Sequence, residues 1–177
     1  MKEVFPQPPL TAFKRQKNLR DMLIRAKVPE PERPYEKRSM KGMAKCGHSC
    51  TACPFIRTGK QVRIKRNSYW HINTKMNCES FNVIYMLECE KDNCTNNRYI
   101  GETGRLFKFR LAEQKGYIVN KDETEATGSH FNLPGHNLGH LKATILEQIN
   151  KNSEEYRKES FYIRKFNTFY MGLNKQK

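Results

Sequence analysis

The chain has 177 residues and a formal net charge of +15, with 33 Lys and Arg against 18 Asp and Glu. This length allows one compact domain of about 100 residues plus a smaller piece. No apolar run approaches the roughly 20 residues that span a bilayer, and the first residues lack the apolar core of a signal peptide. The sequence therefore predicts a soluble intracellular protein with no membrane partner.

The positive charge is concentrated at the start of the chain. Residues 1–66 hold 17 Lys and Arg against 5 Asp and Glu, whereas residues 67–177 hold 16 against 13. A basic arm ahead of a near-neutral body favours contacts with the phosphates of a nucleic acid. A disordered tail that only carries charge, or a segment lying on a membrane surface, would have the same composition.

Residues 1–40 are predicted to form a basic helical and linker segment. Leu19, Met22, Leu23 and Ala26 recur at helical spacing, and a cluster of prolines ends the helix soon afterwards. A helix this short is not stable alone in water, so we expect it to dock on another protein surface.

Residues 41–80 contain clustered cysteines that predict a zinc-binding module. In a reducing compartment such cysteines indicate metal ligands or free thiols rather than disulfides, and the gap of two residues between the second and third is typical of a metal knuckle. The expected ligands of a closed, structural Zn²⁺ site are Cys46, Cys50, Cys53 and Cys78. His71 and His48 are alternatives for the fourth position.

Basic residues surround this cysteine cluster. Together with Tyr69 and Trp70 they predict a surface that faces DNA or RNA. The basic set is Lys41, Lys45, Arg57, Lys60, Arg63, Lys65 and Arg66. Cys89 and Cys94 lie further on, where they could bind a second ion, complete the first, or be one buried and one free cysteine.

Residues 81–177 predict a mixed α and β body. Residues 81–88 and 98–102 are rich in β-branched and aromatic residues and are joined by a polar turn, which predicts a hairpin. A helix is expected over 105–115, a third strand over 143–149, and a final helix that begins at a capping box in 152–155 and ends near residue 166. This order is that of an α+β fold.

The final helix carries one acidic residue in an unusual position. Tyr156, Glu159, Ile163 and Phe166 fall on one stripe at 100° per residue. An unpaired carboxylate on an apolar face is unfavourable, so a metal ion or an arginine would have to compensate Glu159. Alternatively, Glu159 lies at the edge of the stripe, half in water.

Several motifs resemble those of one nuclease group. Val83-Ile84-Tyr85 and Tyr99-Ile100-Gly101 resemble the two signature strands of the GIY-YIG nuclease superfamily, with valine in place of the first glycine. The stretches 13–21, 82–85, 98–103, 129–136, 163–168 and 172–174 are similar to the C-terminal endonuclease region of Penelope-like retroelements, including its cysteine-rich linker. The resemblance implies a small three-stranded antiparallel sheet flanked by helices, preceded by a basic zinc-binding module.

The resemblance also implies an activity. It indicates a metal-dependent endonuclease that nicks DNA in the nucleus and exposes a 3′-hydroxyl for target-primed reverse transcription. The implied partners are DNA, possibly the RNA of the element, and a reverse-transcriptase domain in a longer polyprotein. Residues 1–40 resemble the stretch that follows such a polymerase.

Roles for individual residues come from the same motifs. Glu159 would bind Mg²⁺ or Mn²⁺, Arg110 would bind the phosphate, and Tyr85 and Tyr99 would orient or deprotonate water or contact the scissile phosphate. The full set of expected site residues is Tyr85, Tyr99, Arg110, His130, Glu159 and Asn174. His130 is a candidate phosphate contact or proton shuttle, or a structural residue whose ring a Pro-Gly turn holds near that of His136. Asn174 is expected to support the site or to end a helix.

Two departures from the pattern bear on activity. Many relatives carry histidine four residues after the arginine, where this chain has Gln114. Glutamine can orient a water molecule but cannot take its proton. The segment before Glu159 is shorter than in relatives, which makes Glu155 an alternative metal ligand.

A catalytically inactive zinc-containing nucleic-acid-binding remnant is therefore the alternative function, and an RNA-binding partner of a polymerase is a third.

Overall fold

The computed structural model describes residues 41–48, 50–149 and 155–174, without the side chains of residues 155–157. The chain divides into residues 1–38 and 39–177, and all the described residues belong to the second unit. The helix expected near residues 19–26 and the cap expected at Asn152 lie outside the described residues. Within the described part, no helix has the length and apolar character needed to cross a bilayer.

The described part of the chain contains seven strands, three α-helices and two short 3₁₀ helices at Cys53–Phe55 and Leu138–His140. The strands are β1 (Gly42–Met43), β2 (Gln61–Lys65), β3 (Ser68–His71), β4 (Lys75–Met76), β5 (Val83–Cys89), β6 (Arg98–Thr103) and β7 (Leu141–Gln148). The helices are α1 (Phe107–Val119), α2 (Ala126–Phe131) and α3 (Glu155–Lys165).

The centre of the fold is a three-stranded sheet in the order β6-β5-β7, in which both neighbours run antiparallel to β5. All seven residues of β5 are buried, because the strand has a neighbour on each side. The prediction of an α+β fold is therefore confirmed. Within residues 81–177 the expected strands and helices occur close to their predicted places, and α2 lies between the first helix and the third strand of this body.

Residues 41–80 pack against this sheet and share its hydrophobic core. Met43, Ile56, Val62 and Met76 belong to the same buried cluster as the residues of β5. The cysteine-rich segment and the body therefore form one packed structure.

Each edge of the sheet is covered by another part of the chain. At the β7 edge, Ile56 forms a parallel bridge with Ala143, and the Arg57 amide donates to the Ala143 carbonyl at 3.0 Å. At the β6 edge, the Leu173 amide donates to the Arg98 carbonyl at 2.8 Å. These two contacts satisfy backbone groups that an edge strand normally leaves open.

An antiparallel hairpin of β2 and β3 was not expected from the sequence. Its inner side is anchored by Trp70, whose Nε1 donates to the Leu146 carbonyl at 3.2 Å and whose ring meets that of Tyr162 edge-on at 5.2 Å. Trp70 therefore faces the protein rather than the expected nucleic-acid surface. The charge of Arg57 is paired rather than open to a nucleic acid, because its guanidinium forms ion pairs with Glu88 and Glu90.

Candidate active site and metal centres

Tyr85 and Tyr99 lie on the same face of the sheet. Tyr85 is opposite Gly101 in the β5–β6 ladder, and Tyr99 is two residues before Gly101 along β6. Diagonal neighbours of this kind are within reach for aromatic side chains, and the two ring centroids are 6.4 Å apart. Tyr85 is fully buried, against the Phe107 ring as well, whereas Tyr99 is only partly covered.

Arg110 projects from α1 onto the Tyr85 hydroxyl. Its Nε donates to the Tyr85 oxygen at 2.9 Å, and its Nη1 donates to Glu113 Oε2 at 3.1 Å. These bonds fix the plane of the guanidinium while leaving some of its five N–H donors for a further ligand. Its side chain remains about a quarter exposed (24%), so a phosphate could reach it.

Glu159 lies close enough to both phenols to act on them through its charge. The negative charge of Glu159 contributes to the raised pKa of Tyr85 and to that of Tyr99. Glu159 is partly buried on α3, which contacts β6. The structure thus brings two phenols, one guanidinium and one helix-borne carboxylate to the same face of the protein. The side chain of Glu155, the alternative ligand, is outside the described residues.

The phenols remain protonated at neutral pH. Burial is the main cause of the raised pKa of Tyr85 and of Tyr99, and the positive charge of Arg110 offsets it only in part. Burial opposes ionisation because a phenolate loses its hydration. At that pH the two side chains are therefore hydrogen-bonding groups rather than bases.

Asn174 holds the backbone of the second signature strand. Its Oδ1 accepts from the Ile100 amide at 2.9 Å, and its Nδ2 donates to the Ile100 carbonyl at 2.7 Å. Ile100 lies between Tyr99 and Gly101, so the amide of Asn174 fixes the strand from which the Tyr99 ring projects. This geometry gives Asn174 a positioning role at the site.

Gln114 occupies a buried position on α1. It is 1% exposed, and its Oε1 accepts a hydrogen bond from Thr127 Oγ1 at 2.6 Å. The residue therefore ties α1 to α2. Because Gln114 is buried and bonded to Thr127, its side chain does not face solvent and is not placed to orient a water molecule.

Four thiols meet in the cysteine-rich segment. Cys46 Sγ and Cys53 Sγ are 3.4 Å apart, Cys53 Sγ and Cys78 Sγ are 3.5 Å apart, and Cys50 Sγ and Cys78 Sγ are 3.7 Å apart. Tetrahedral Zn²⁺ with bonds of about 2.3 Å places its sulfur ligands about 3.8 Å apart. The cluster of Cys46, Cys50, Cys53 and Cys78 could therefore hold a metal ion such as zinc.

Cys78, the expected fourth ligand, is the fourth member of this cluster. His48 and His71, the two alternatives, are exposed and outside the cluster. A hydrogen bond with the backbone of His48 lowers the pKa of the Cys46 thiol to about 7, whereas burial raises that of Cys78. Binding of an ion would have to deprotonate Cys78, as metal binding to thiols does.

Cys78 also connects the cysteine cluster to α1. The Lys108 amide donates to the Cys78 carbonyl at 2.8 Å, and the Phe107 amide donates to the Ser80 carbonyl at 2.8 Å. These are the first amides of α1, which have no partner within the helix. The segment that carries a thiol ligand therefore caps the helix that carries Arg110.

A second group of possible ligands lies at the far end of the β5–β6 hairpin. Its members are Cys89, Cys94, His130 and His136, whose ligand atoms lie within 4.8 Å of one another. Cys94 Sγ is 3.5 Å from His130 Nε2, and the His130 and His136 rings are 4.8 Å apart. His136 Nε2 is buried and, within the described part of the chain, has no hydrogen-bond partner. This group could also hold a metal ion.

His130 belongs to this second group. Its ring contacts within the described residues are with Cys94, Phe131 and His136. Burial, together with the charges of His136 and Lys91, lowers the pKa of His130 to about 4. The imidazole is thus neutral at pH 7, the form that binds metals.

Comparison of the chain with family models, curated proteins and solved structures gave no match.

The sequence pattern alone leaves the role of Cys89 and Cys94 open and does not predict that they meet His130 and His136. A usable signal is nevertheless present: two cysteines flank one turn, two histidines flank another, and together they make four ligands.

Proposed function

We propose that the protein is a metal-dependent endonuclease of GIY-YIG type that nicks DNA. The observation that carries this proposal is the bond between Arg110 Nε and the Tyr85 hydroxyl at 2.9 Å, beside Tyr99 and within range of the Glu159 charge. Phosphodiester hydrolysis needs charge neutralisation at the phosphoryl oxygens and an oriented water, and these groups suit both tasks.

In this proposal the two phenols have different roles, which their different burial supports. Tyr85 is fully buried, so its part is to hold Arg110 in place. Tyr99 and Arg110 are partly exposed, so they contact the phosphate or the attacking water. The guanidinium presents a planar fork that matches the oxygens of a phosphate.

Glu159 is the residue that would bind Mg²⁺ or Mn²⁺. A single partly exposed carboxylate suits a hard cation that keeps most of its water ligands. When bound, the ion would supply neutralising charge at the phosphoryl oxygens. Water adds to phosphorus as the P–O3′ bond breaks and the 3′-oxygen takes up a proton, which gives a 3′-hydroxyl and a 5′-phosphate. The cysteine cluster of residues 46–78 is a structural zinc site in this proposal.

The biological setting comes from the sequence resemblance. A free 3′-hydroxyl in target DNA is the primer for target-primed reverse transcription, so the nuclease would act in the nucleus. Its partners would be DNA, possibly the RNA of the element, and a reverse-transcriptase domain in a longer polyprotein.

Relaxation of supercoiled plasmid tests the proposal. With Mg²⁺ present, the protein should convert supercoiled DNA to nicked circles, and Glu159→Gln should abolish this conversion while DNA binding persists. Glu123→Gln is the matched control, because Glu123 is an exposed carboxylate outside the expected set of site residues. Equal nicking by Glu159→Gln and the control would refute the assignment of Glu159.

A catalytically inactive nucleic-acid-binding remnant is favoured by one observation. Gln114 stands where related nucleases carry histidine, and it is buried and bonded to Thr127 rather than open to water. With both phenols protonated, the site would then have no side chain to act as a base. This function predicts DNA binding with no nicking by the unmodified protein at any concentration of Mg²⁺ or Mn²⁺.

A further inference from the structure

We propose that the solvent face of the β2–β3 hairpin is a docking surface for the major groove of duplex DNA. This inference rests on the proposed function in one respect, namely that the polymer bound is DNA. It adds a surface, separate from the phenols and Arg110, that would hold the duplex while it is cut.

The side chains of the hairpin alternate between the protein and solvent. Val62 and Trp70 are paired across the strands and face inward, whereas Arg63 and Tyr69 are paired and face outward. The exposed residues of the two strands and their turn are Gln61, Arg63, Lys65, Arg66, Asn67, Ser68, Tyr69 and His71. Cations and hydrogen-bonding groups make up this face.

No acidic residue within residues 41–78 offsets this charge. Residues 41–78 contain eight Lys and Arg and no Asp or Glu. Within the described part of the chain, no ion pair involves Arg63, Lys65 or Arg66, whereas Arg57 and Arg98 are paired with Glu88. Unpaired surface cations are available to replace counterions on a phosphate backbone.

The hairpin is held rigidly from behind. Trp70 is fixed by its bond to the Leu146 carbonyl and by the Tyr162 ring, and Lys165 Nζ lies 4.6 Å from the centre of the indole. Arg98 Nη1 donates to the Ile64 carbonyl at 3.1 Å. A surface ordered before binding loses little conformational entropy when its ligand arrives.

The shape of this face favours duplex DNA over other nucleic acids. A two-stranded ribbon fits the major groove of B-form DNA, which is about 12 Å wide. The deep, narrow major groove of A-form RNA does not admit side chains. Single-strand surfaces combine cations with several stacking aromatics, and this face exposes a single tyrosine, Tyr69.

The residues that hold the hairpin from behind lie on the same elements as the candidate active site. Tyr162, which supports Trp70, is three residues after Glu159 on α3, and Arg98 directly precedes Tyr99 on β6. DNA bound by the hairpin would therefore be held by the same elements that carry the Glu159 carboxylate and the Tyr99 phenol.

Fluorescence anisotropy in a Glu159→Gln background tests the inference without cleavage. The ribbon variant is Arg63→Gln, Lys65→Gln and Arg66→Gln together. The control variant is Lys75→Gln, Lys121→Gln and Arg164→Gln, which removes the same charge from exposed sites elsewhere. The probes are a DNA duplex of about two helical turns, an RNA duplex of the same sequence and the DNA single strand.

The ribbon variant should bind the DNA duplex about tenfold more weakly at about 0.15 M salt, with a salt slope smaller by about 2–3. The control variant should change the Kd by less than about twofold. The unmodified hairpin should also protect guanine N7, a major-groove atom, from dimethyl sulfate.

Three results would overturn the inference: equal losses in the two variants, an unchanged ribbon variant, or a loss confined to RNA or single-stranded DNA. Unchanged melting temperatures would show that both variants are folded. Because binding is read without cleavage, failure of nicking and failure of this surface are separate results.

Discussion

Gly101 lies directly opposite Tyr85 in the β5–β6 ladder, and a Cβ atom at Gly101 would come within 2.6 Å of the Tyr85 hydroxyl oxygen. The same atom would lie 2.9 Å from Cε1 of Tyr99. The glycine is required here because two aromatic rings occupy the space above its backbone.

Gly101→Ala should displace the Tyr85 ring and break its hydrogen bond with Arg110. Overpacking of this kind costs about 1–3 kcal/mol of unfolding free energy. The rate of nicking should fall by a larger factor than the loss of stability explains, because the Arg110 guanidinium loses the Tyr85 hydroxyl that positions it. Urea unfolding and plasmid nicking measure the two effects.

Gly116→Ala is the matched control for this change. Gly116 lies within α1, and a Cβ there would meet no heavy atom within 4 Å. Alanine in a helix interior is more favourable than glycine by roughly 0.5–1 kcal/mol. The control should therefore be more stable than the parent and should nick DNA equally well. Similar losses in the two variants would contradict the steric explanation.

The protein should contain two zinc ions per chain, one in each group of four ligands. Cys53→Ser should remove one ion and Cys94→Ser the other, whereas His48→Ala, at an exposed site outside both groups, should keep two. Metal analysis by mass spectrometry gives these numbers directly. Retention of both ions by the two cysteine variants would refute the assignment.

Loss of the first ion should also loosen α1. The Lys108 amide is bonded to the Cys78 carbonyl, so its hydrogen exchange should speed up in Cys53→Ser. The same amide should be little affected in Cys94→Ser. Equal exchange in the two variants would show that the cysteine cluster does not hold the start of the helix.

The free energy of unfolding should decrease as the pH rises above about 10, the ordinary pKa of tyrosine. Burial raises the pKa of Tyr85, Tyr99 and Tyr162, and the Glu147 carboxylate raises that of Tyr162 further. Above pH 10 the phenols of the unfolded chain lose protons that the folded chain keeps. Ionisation therefore favours unfolding. The stabilisation is fully present below pH 10 and is lost as the pH rises through the pKa values of the folded state.

Denaturant unfolding at several alkaline pH values measures this slope. Tyr85→Phe should make the decrease shallower, because one of the three phenols is gone. The exposed Tyr69 provides the control, and Tyr69→Phe should leave the decrease unchanged. An unchanged slope in Tyr85→Phe would contradict a raised pKa for Tyr85.

Asn174→Ala should lower the unfolding free energy by about 1–3 kcal/mol, because two hydrogen bonds to the Ile100 backbone are lost. As a positioning residue, Asn174 should affect kcat for nicking while leaving the Kd for DNA nearly unchanged. Asn174→Asp keeps the acceptor and should restore part of the loss. Asn73→Ala, at an exposed site, is the control.

The sheet and its signature residues could be predicted because strand patterns are local. β-branched and aromatic residues mark β5 and β6, and the short polar turn between them sets the register that places Gly101 beneath Tyr85. Glu159 could be singled out because it interrupts an apolar stripe. These signals need only a few neighbouring residues.

The parts that were not predicted depend on distant contacts. Trp70 looks like a surface aromatic among basic residues, and only the Leu146 carbonyl, 76 residues away, shows why it faces inward. Cys94 and His130 are 36 residues apart, and their meeting depends on how α2 packs. The buried partner of Gln114, Thr127, likewise lies on a different helix.

The covered edges of the three-stranded sheet limit how copies of this protein could associate. Exposed edges recruit strands from other molecules, which is a common route to domain swapping and amyloid. Here the Arg57 amide occupies the β7 edge, and Leu173 and Asn174 occupy the β6 edge. The chain therefore places its own backbone and an amide side chain where a strand from a second copy would otherwise pair.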